Sequence, residues 1–163
     1  MRNLSEEEFN KKYYIYKDTI YRIAFTYVHN QSDALDIVQD VFMKYLNSNE
    51  VFATDDNEKY WLIRVTINIS KNFVSKSWNK MVYLDNEYIN NLSSDSEKSE
   101  QVNYYKIVTS LKEKYKEVIL LYYYEDFSIE EIANILKISN SCVKKRLERG
   151  RDEIKKEIKN GRF

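Results

Sequence analysis

The sequence predicts an all-α protein made of two small helical domains joined by a flexible acidic linker. Its 163 residues contain no Pro and only two Gly, the residues that strand-rich folds use in their turns. Apolar residues recur at helical spacing through most of the chain. Hydrophobic residues make up 43% and charged residues 32%, a balance typical of packed rather than disordered proteins.

Two helices are predicted in the first 46 residues. Ser5 and Glu8 form a capping box before the first helix, and Ser32 is the predicted cap of the second. The second helix should bury an apolar stripe: Ala34, Leu35, Ile37, Val38, Val41, Phe42, Tyr45 and Leu46. Its opposite face carries Asp36, Gln39, Asp40 and Lys44. Asp36 and Asp40 repel each other weakly across one turn, so this face either meets a cationic partner or is simply solvated.

The third helix is predicted to begin at Glu58 and to change character along its length. Trp61, Leu62, Val65, Ile69 and Phe73 form its buried stripe. The second half combines cations, amides and rings without an acidic residue: Arg64, Asn68, Lys71, Asn72, Phe73, Lys76 and Trp78. This set suits single-stranded nucleic acid, because cations meet phosphates while amides and rings meet exposed bases. The alternative, that the two rings belong to the core, is favoured for Phe73 and stays open for Trp78.

Residues 81–103 are predicted to be a linker between two domains, 1–80 and 104–163. They show no sustained helical period, and five acidic residues face a single lysine there. From Lys137 to the end of the chain, ten cations face four acidic residues. The charge is therefore segregated although the whole chain has a net charge of zero, as expected of a DNA-facing end and a solvated spacer.

The second domain ends in a predicted helix-turn-helix between Ser128 and Arg151. Ser128 and Glu131 form a capping box, Lys137 occupies the turn, and Ser139 caps the second helix. Val143 and Leu147 of that helix point inward, while Lys144, Lys145, Arg146 and Arg149 crowd its surface. This density of cations favours DNA binding; the alternative is an ordinary helix pair with a solvated basic face.

Several other classes of protein fit the sequence poorly. A single cysteine, Cys142, excludes a disulfide framework and fits a reducing cytoplasm. A single histidine, His29, argues against zinc or acid–base sites built on histidine. No apolar run is long enough to span a membrane, and we expect no signal peptide before the first helix. We expect no cofactor, no membrane insertion and no enzymatic activity.

Three segments in this order resemble bacterial RNA polymerase sigma factors of the extracytoplasmic-function (ECF) type, in the sigma-70 family: SDALDIVQDVFMKY, WLIRVTINISKN and LKEKYKEVILLYYYEDFSIEEIANILKISNSCVKKRLERGR. The resemblance covers nearly the whole chain. It implies a non-enzymatic protein that binds the β′ and β subunits of core RNA polymerase and directs promoter-specific transcription initiation. The implied polymerase contacts are Asp36, Gln39, Asp40, Phe42 and Lys44.

The same resemblance assigns DNA contacts to the other segments. The third helix and the loop after it would open the −10 promoter element and hold a flipped base, and the candidate contacts are Arg64, Asn68, Lys71, Asn72, Phe73, Lys76 and Trp78. The second helix of the helix-turn-helix would read the −35 element. Its implied contacts with base edges are Asn140, Ser141, Lys144 and Lys145, beside Ser139. Its implied contacts with phosphates are Arg146 and Arg149. An anti-sigma factor is an expected partner. Asn72 and Ser75 stand where the family usually has Asp and Arg, which leaves the −10 base specificity open. Two further departures are Lys112, where the family usually has Pro, and Lys137, where it usually has Gly. The alternative function is a sigma-like or phage-type helix-turn-helix regulator that does not replace sigma.

Overall fold

The computed structural model describes residues 2–76 and 104–161, and over these ranges the chain forms seven α-helices and no strand. The helices are α1 (Glu6–Val28), α2 (Gln31–Asn47), α3 (Asp55–Lys76), α4 (104–110), α5 (Glu113–Ile119), α6 (Ile129–Leu136) and α7 (Asn140–Lys159). They belong to two compact units, Met1–Asp85 and Asn86–Phe163. The division falls within the predicted linker, which lies outside the described residues, as does Trp78.

Helices α1, α2 and α3 pack against one another in the N-terminal unit. The predicted capping box starts α1, where Ser5 Oγ accepts from the Glu8 amide and the Glu8 carboxylate accepts from the Ser5 amide. The predicted cap of α2 was wrong by two residues: Asn30, not Ser32, accepts the amide of Asp33. Either side chain is able to cap a helix, so the sequence alone did not decide between them.

The apolar stripe of α2 is rotated slightly from its prediction. Its buried residues are Ala34, Ile37, Val38, Val41, Phe42 and Tyr45. Leu35, predicted to point inward, is 51% exposed, and Leu46 is half-buried. Successive helical residues are separated by about 100°, so the buried stripe is centred near Ala34 and Tyr45, and Leu35 falls just outside its edge beside Phe42.

Helix α3 begins at Asp55, one turn before the predicted start. Thr54 explains the earlier start, because its hydroxyl accepts the amide of Asn57. The helix packs against both α1 and α2, so burial extends beyond a single stripe to Ile63, Thr66 and Ile67. Two residues of the predicted stripe, Ile69 and Phe73, are only half-buried.

A buried carboxylate links the three N-terminal helices. Glu58 of α3 is 5% exposed, accepts a hydrogen bond from the Tyr45 hydroxyl of α2, and lies 2.7 Å from Lys12 Nζ of α1. The hydrogen bond to Glu58 raises the pKa of Lys12 above its ordinary 10.5. Burial and the same carboxylate raise the pKa of Tyr45. Lys12 and Tyr45 therefore keep their protons to a higher pH in the folded protein than they would in free solution.

The N-terminal residues are held against the loop between α2 and α3 by Arg2. Its guanidinium donates to the carbonyls of Tyr45 and Glu50 and to the hydroxyl of Ser48. It also lies over two rings, 4.5 Å from the centroid of Tyr45 and 4.9 Å from that of Phe52. One side chain thus joins the chain start, the end of α2 and the loop before α3.

The C-terminal unit packs α7 against α5 and α6. A π-helical turn, Leu120–Tyr124, continues α5. Gly150 of α7 is buried where the two helices cross, and a Cβ there would lie 3.0 Å from Ile119 Cγ1. A side chain at this position would require the Ile119 side chain to shift by a few tenths of an ångström, so glycine fits this close approach of α7 to α5.

Candidate functional surfaces

The predicted helix-turn-helix is formed by α6 and α7. Ser128 Oγ accepts the Glu131 amide, the Glu131 carboxylate accepts the Ser128 amide, and Ser139 Oγ accepts the Cys142 amide. Lys137 ends α6 in the left-handed conformation, with φ 56° and ψ 48°. Its amide donates to the carbonyl of Ala133, which closes the helix end without glycine.

The outer side of α7 presents polar and cationic groups to solvent. Val143, Leu147 and Gly150 are its buried residues. The first turn of the helix contains no acidic residue. Of the predicted −35 contacts, Arg146 is half-buried and the others are exposed: Ser139, Asn140, Ser141, Lys144, Lys145 and Arg149. These side chains are therefore accessible to a duplex.

A groove lies along one side of α7 and will be called the cationic groove. Its volume is about 310 Å³ and it is lined by Lys114, Tyr115, Ser139, Ser141, Cys142, Lys145, Arg146 and Arg149. Lys114 and Tyr115 belong to α5 and were not predicted as site residues. A lysine near a helix start is common, so the sequence contained no signal that would have placed it beside α7.

The exposed side of α2 will be called the α2 outer face: Leu35, Asp36, Gln39, Asp40, Met43 and Lys44. The sequence identified its polar members. Its two large apolar members, Leu35 and Met43, are each 51% exposed. The α2 outer face therefore offers apolar area beside its acidic residues.

An apolar groove of about 370 Å³ adjoins the α2 outer face, lined by Phe9, Tyr13, Leu35, Val38, Gln39, Phe42, Met43 and Leu46. Phe42, a predicted polymerase contact, is only 3% exposed. Its ring packs on those of Tyr13 and Phe9, with centroids 4.9 Å and 5.9 Å away. Phe42 thus lies at the floor of the groove and supports the exposed residues around it, but it offers almost no surface of its own to a partner.

The predicted −10 contacts follow one side of α3. Arg64, Asn68, Asn72 and Lys76 recur every four residues and so lie on one helical face, with Lys71 and Phe73 beside it. Asn68, Asn72 and Lys76 are exposed, and Arg64, Lys71 and Phe73 are half-buried. Amides and cations therefore reach solvent together.

Residues 2–76 and 104–161 contain no group of three or more His, Cys, Asp or Glu side chains placed to hold a metal ion. None of the helices in these ranges is both long enough and apolar enough to cross a bilayer.

Comparison with known proteins relates both units to one family. The family model for sigma-70 region 2 matches residues 13–80, and the model for sigma-70 region 4 matches residues 101–154. The chain is 36% identical over 135 residues to the RNA polymerase sigma factor SigV of Bacillus subtilis, covering 82% of this chain and 81% of SigV. It is 30% identical to the ECF RNA polymerase sigma factor SigW of the same organism, covering 90% and 86%.

A solved structure shares the fold. It is the sigma factor RpoE of Bartonella quintana in complex with the anti-sigma factor NepR, which matches with a TM-score of 0.67 at 20% identity and covers 94% of this chain and 98% of that one. The region 2 match contains the α2 outer face and the exposed side of α3, and the region 4 match contains the helix-turn-helix. The chain belongs to the sigma-70 family and is an RNA polymerase sigma factor of the ECF type, which directs transcription initiation.

Proposed function

We propose that this sigma factor docks on core RNA polymerase through the α2 outer face. Asp36 and Asp40 attract a basic surface, while Leu35 and Met43 supply apolar area beside them. Gln39 and Lys44 add hydrogen-bonding groups at the rim. Phe42 acts from below, because it supports Leu35 and Met43 along the shared groove.

DNA contacts are divided between α3 and α7 in this proposal. Asn68, Asn72 and Lys76 expose amides and a cation that suit the separated strands of the −10 element. On α7, Asn140, Ser141, Lys144 and Lys145 reach base edges of the −35 duplex, beside Ser139, and Arg146 and Arg149 meet phosphates. The observation that carries the proposal is the exposed acidic and apolar face in one unit together with an exposed cationic helix in the other.

The finer expectations from the sequence belong to the same proposal. The protein acts without chemistry of its own, in the cytoplasm, as a subunit of a larger enzyme. An anti-sigma factor regulates it by covering the polymerase-binding and DNA-binding surfaces. The RpoE–NepR complex supports this partner by likeness of fold.

Charge reversal on α2 tests the polymerase contact. We expect Asp36→Lys and Asp40→Lys to weaken binding to core polymerase and to reduce run-off transcription, because each removes an attraction and adds a repulsion. Asp18→Lys is the matched control, since Asp18 is an exposed acidic residue of α1 outside the α2 outer face. Unchanged core affinity in the α2 variants would remove the assignment. Specific DNA binding without any polymerase binding would favour a regulator that does not replace sigma.

A further inference from the structure

The cationic groove joins α7 to a helix that lies outside the helix-turn-helix. Four of its eight lining residues are cations and none is acidic. Three of the cations, Lys145, Arg146 and Arg149, belong to α7, and the fourth is Lys114 of α5. Lys114 is exposed, and its Nζ lies 5.1 Å from the ring centroid of Tyr115. This cation–π contact restrains a flexible side chain at the groove.

The groove borders the surface that is proposed to read bases. Ser139, Ser141 and Lys145 belong to both. The major groove of B-DNA is about 12 Å wide, so a helix that reaches base edges passes close to the phosphates on either side. The neighbouring acidic residues Glu113 and Glu148 are exposed but do not line the groove. A phosphate beside Arg146 and Arg149 would therefore meet cations without an opposing carboxylate in the groove.

We propose that Lys114 binds a phosphate of the −35 duplex, so that the DNA-binding surface includes α5 as well as the helix-turn-helix. This inference rests on the proposed function of α7. Phosphate contacts fix the position of a protein on DNA and are independent of base sequence. Lys114 should therefore contribute equally to binding of cognate and unrelated duplexes, in contrast to a residue that reads a base.

The test measures binding of the full chain at several salt concentrations. The probes are a short duplex enriched from a random pool by the unmodified chain and a scrambled duplex of the same composition. We expect Lys114→Gln to weaken binding of both duplexes by the same factor and to reduce the slope of log K against log salt by about 1, since one phosphate contact is lost. Lys114→Arg should restore the slope. Lys112→Gln, an exposed residue outside the groove, should leave it unchanged.

The outcomes separate this inference from the function on which it rests. If Lys145→Ala weakens specific binding while Lys114→Gln changes neither affinity nor slope, α7 binds DNA and the role of Lys114 is wrong. If neither variant has an effect, the proposed role of α7 fails as well. Equal loss in Lys112→Gln and Lys114→Gln would indicate a general charge effect and would overturn the contact. Normal DNA binding by Lys114→Gln with loss of an acidic protein partner would assign the groove to that partner.

Discussion

Helices α2 and α7 carry the two main proposed binding surfaces, but they are anchored very differently. Helix α2 buries six of its 17 residues between α1 and α3, whereas α7 buries three of its 20. The outer surface of α7 is correspondingly larger and is available to a long, regular partner such as a duplex. Helix α2 is therefore anchored by twice as many buried residues as α7, whose position depends on Val143, Leu147 and the close approach at Gly150.

Truncating the main anchor of α7 should have the largest effect. Leu147 is 2% exposed, so we expect Leu147→Ala to lower the free energy of unfolding of the C-terminal unit by about 2–5 kcal/mol. Ile158→Ala is the control on the same helix, because Ile158 is 46% exposed and should change stability by no more than about 0.5 kcal/mol.

Tryptophan fluorescence and circular dichroism together distinguish unfolding of the C-terminal unit from unfolding of the N-terminal unit. Both tryptophans, Trp61 and Trp78, precede the predicted linker, so their fluorescence reports on the N-terminal part of the chain, while circular dichroism follows all helices. In denaturant, Leu147→Ala should shift part of the dichroism transition and leave the fluorescence transition in place. A small loss of stability would mean that contacts other than Leu147 anchor α7.

The second largest effect is expected from the exposed lysines of α7. We expect Lys144→Ala and Lys145→Ala each to lower affinity for the enriched duplex by roughly 1–3 kcal/mol if they contact bases. Lys11→Ala, an exposed lysine of α1, is the control for loss of one positive charge. Equal losses on enriched and scrambled duplexes would show that Lys144 and Lys145 meet phosphates instead, and α7 would then position the DNA without reading it through these residues.

The N-terminal unit contains an ion pair between Lys12 of α1 and the buried carboxylate of Glu58. Lys12→Met would leave the Glu58 carboxylate without its ammonium partner. We expect a loss of roughly 1–2 kcal/mol, between the values for exposed and buried pairs, because the Lys12 side chain is 25% exposed. Lys11→Met, at an exposed position one residue earlier, is the matched control. Unfolding followed by tryptophan fluorescence measures both.

The direction of the pKa shift gives this pair a pH signature. Because the folded-state pKa of Lys12 is raised, its contribution to stability is fully present below the ordinary value of 10.5 and is lost as the pH rises through the folded value. The raised pKa of Tyr45 acts in the same direction. The stability of the N-terminal unit should therefore fall on the alkaline side, and Lys12→Met should fall less steeply. Equal slopes for the two proteins would show that the pair does not contribute.

Local features were predicted from the sequence because they depend on residues a few positions apart. The capping boxes at Ser5 and Ser128 and the cap at Ser139 each need only a side chain and an amide three residues later. The burial of Val143 and Leu147 follows from helical spacing. Lys137 ends α6 and forms the turn before α7, as predicted. The exposed polar residues of the α2 outer face were found for the same reason.

Features that depend on distant parts of the chain were missed. Glu58 is buried because Lys12 and Tyr45 reach it from two other helices. Leu35 is exposed because α1 and α3 decide which side of α2 is covered, and periodicity alone fixes that side only to within about one residue. The contribution of Lys114 to the cationic groove depends on the crossing of α5 and α7, which the spacing of the residues does not encode.

The smallest effect on stability is expected when the capping serine of a helix is removed, and each unit offers one such serine in a capping box. Ser128→Ala removes the hydroxyl that accepts the Glu131 amide and should cost about 1 kcal/mol. Ser5→Ala removes the same bond from α1 at a similar cost. Helix α6 has eight residues and α1 has 23, so loss of the cap should fray a larger fraction of α6 and disturb the turn before α7. We therefore expect Ser128→Ala, but not Ser5→Ala, to reduce DNA affinity as well as stability. Equal DNA affinities for the two variants would show that α7 is positioned by its packing on α5 alone.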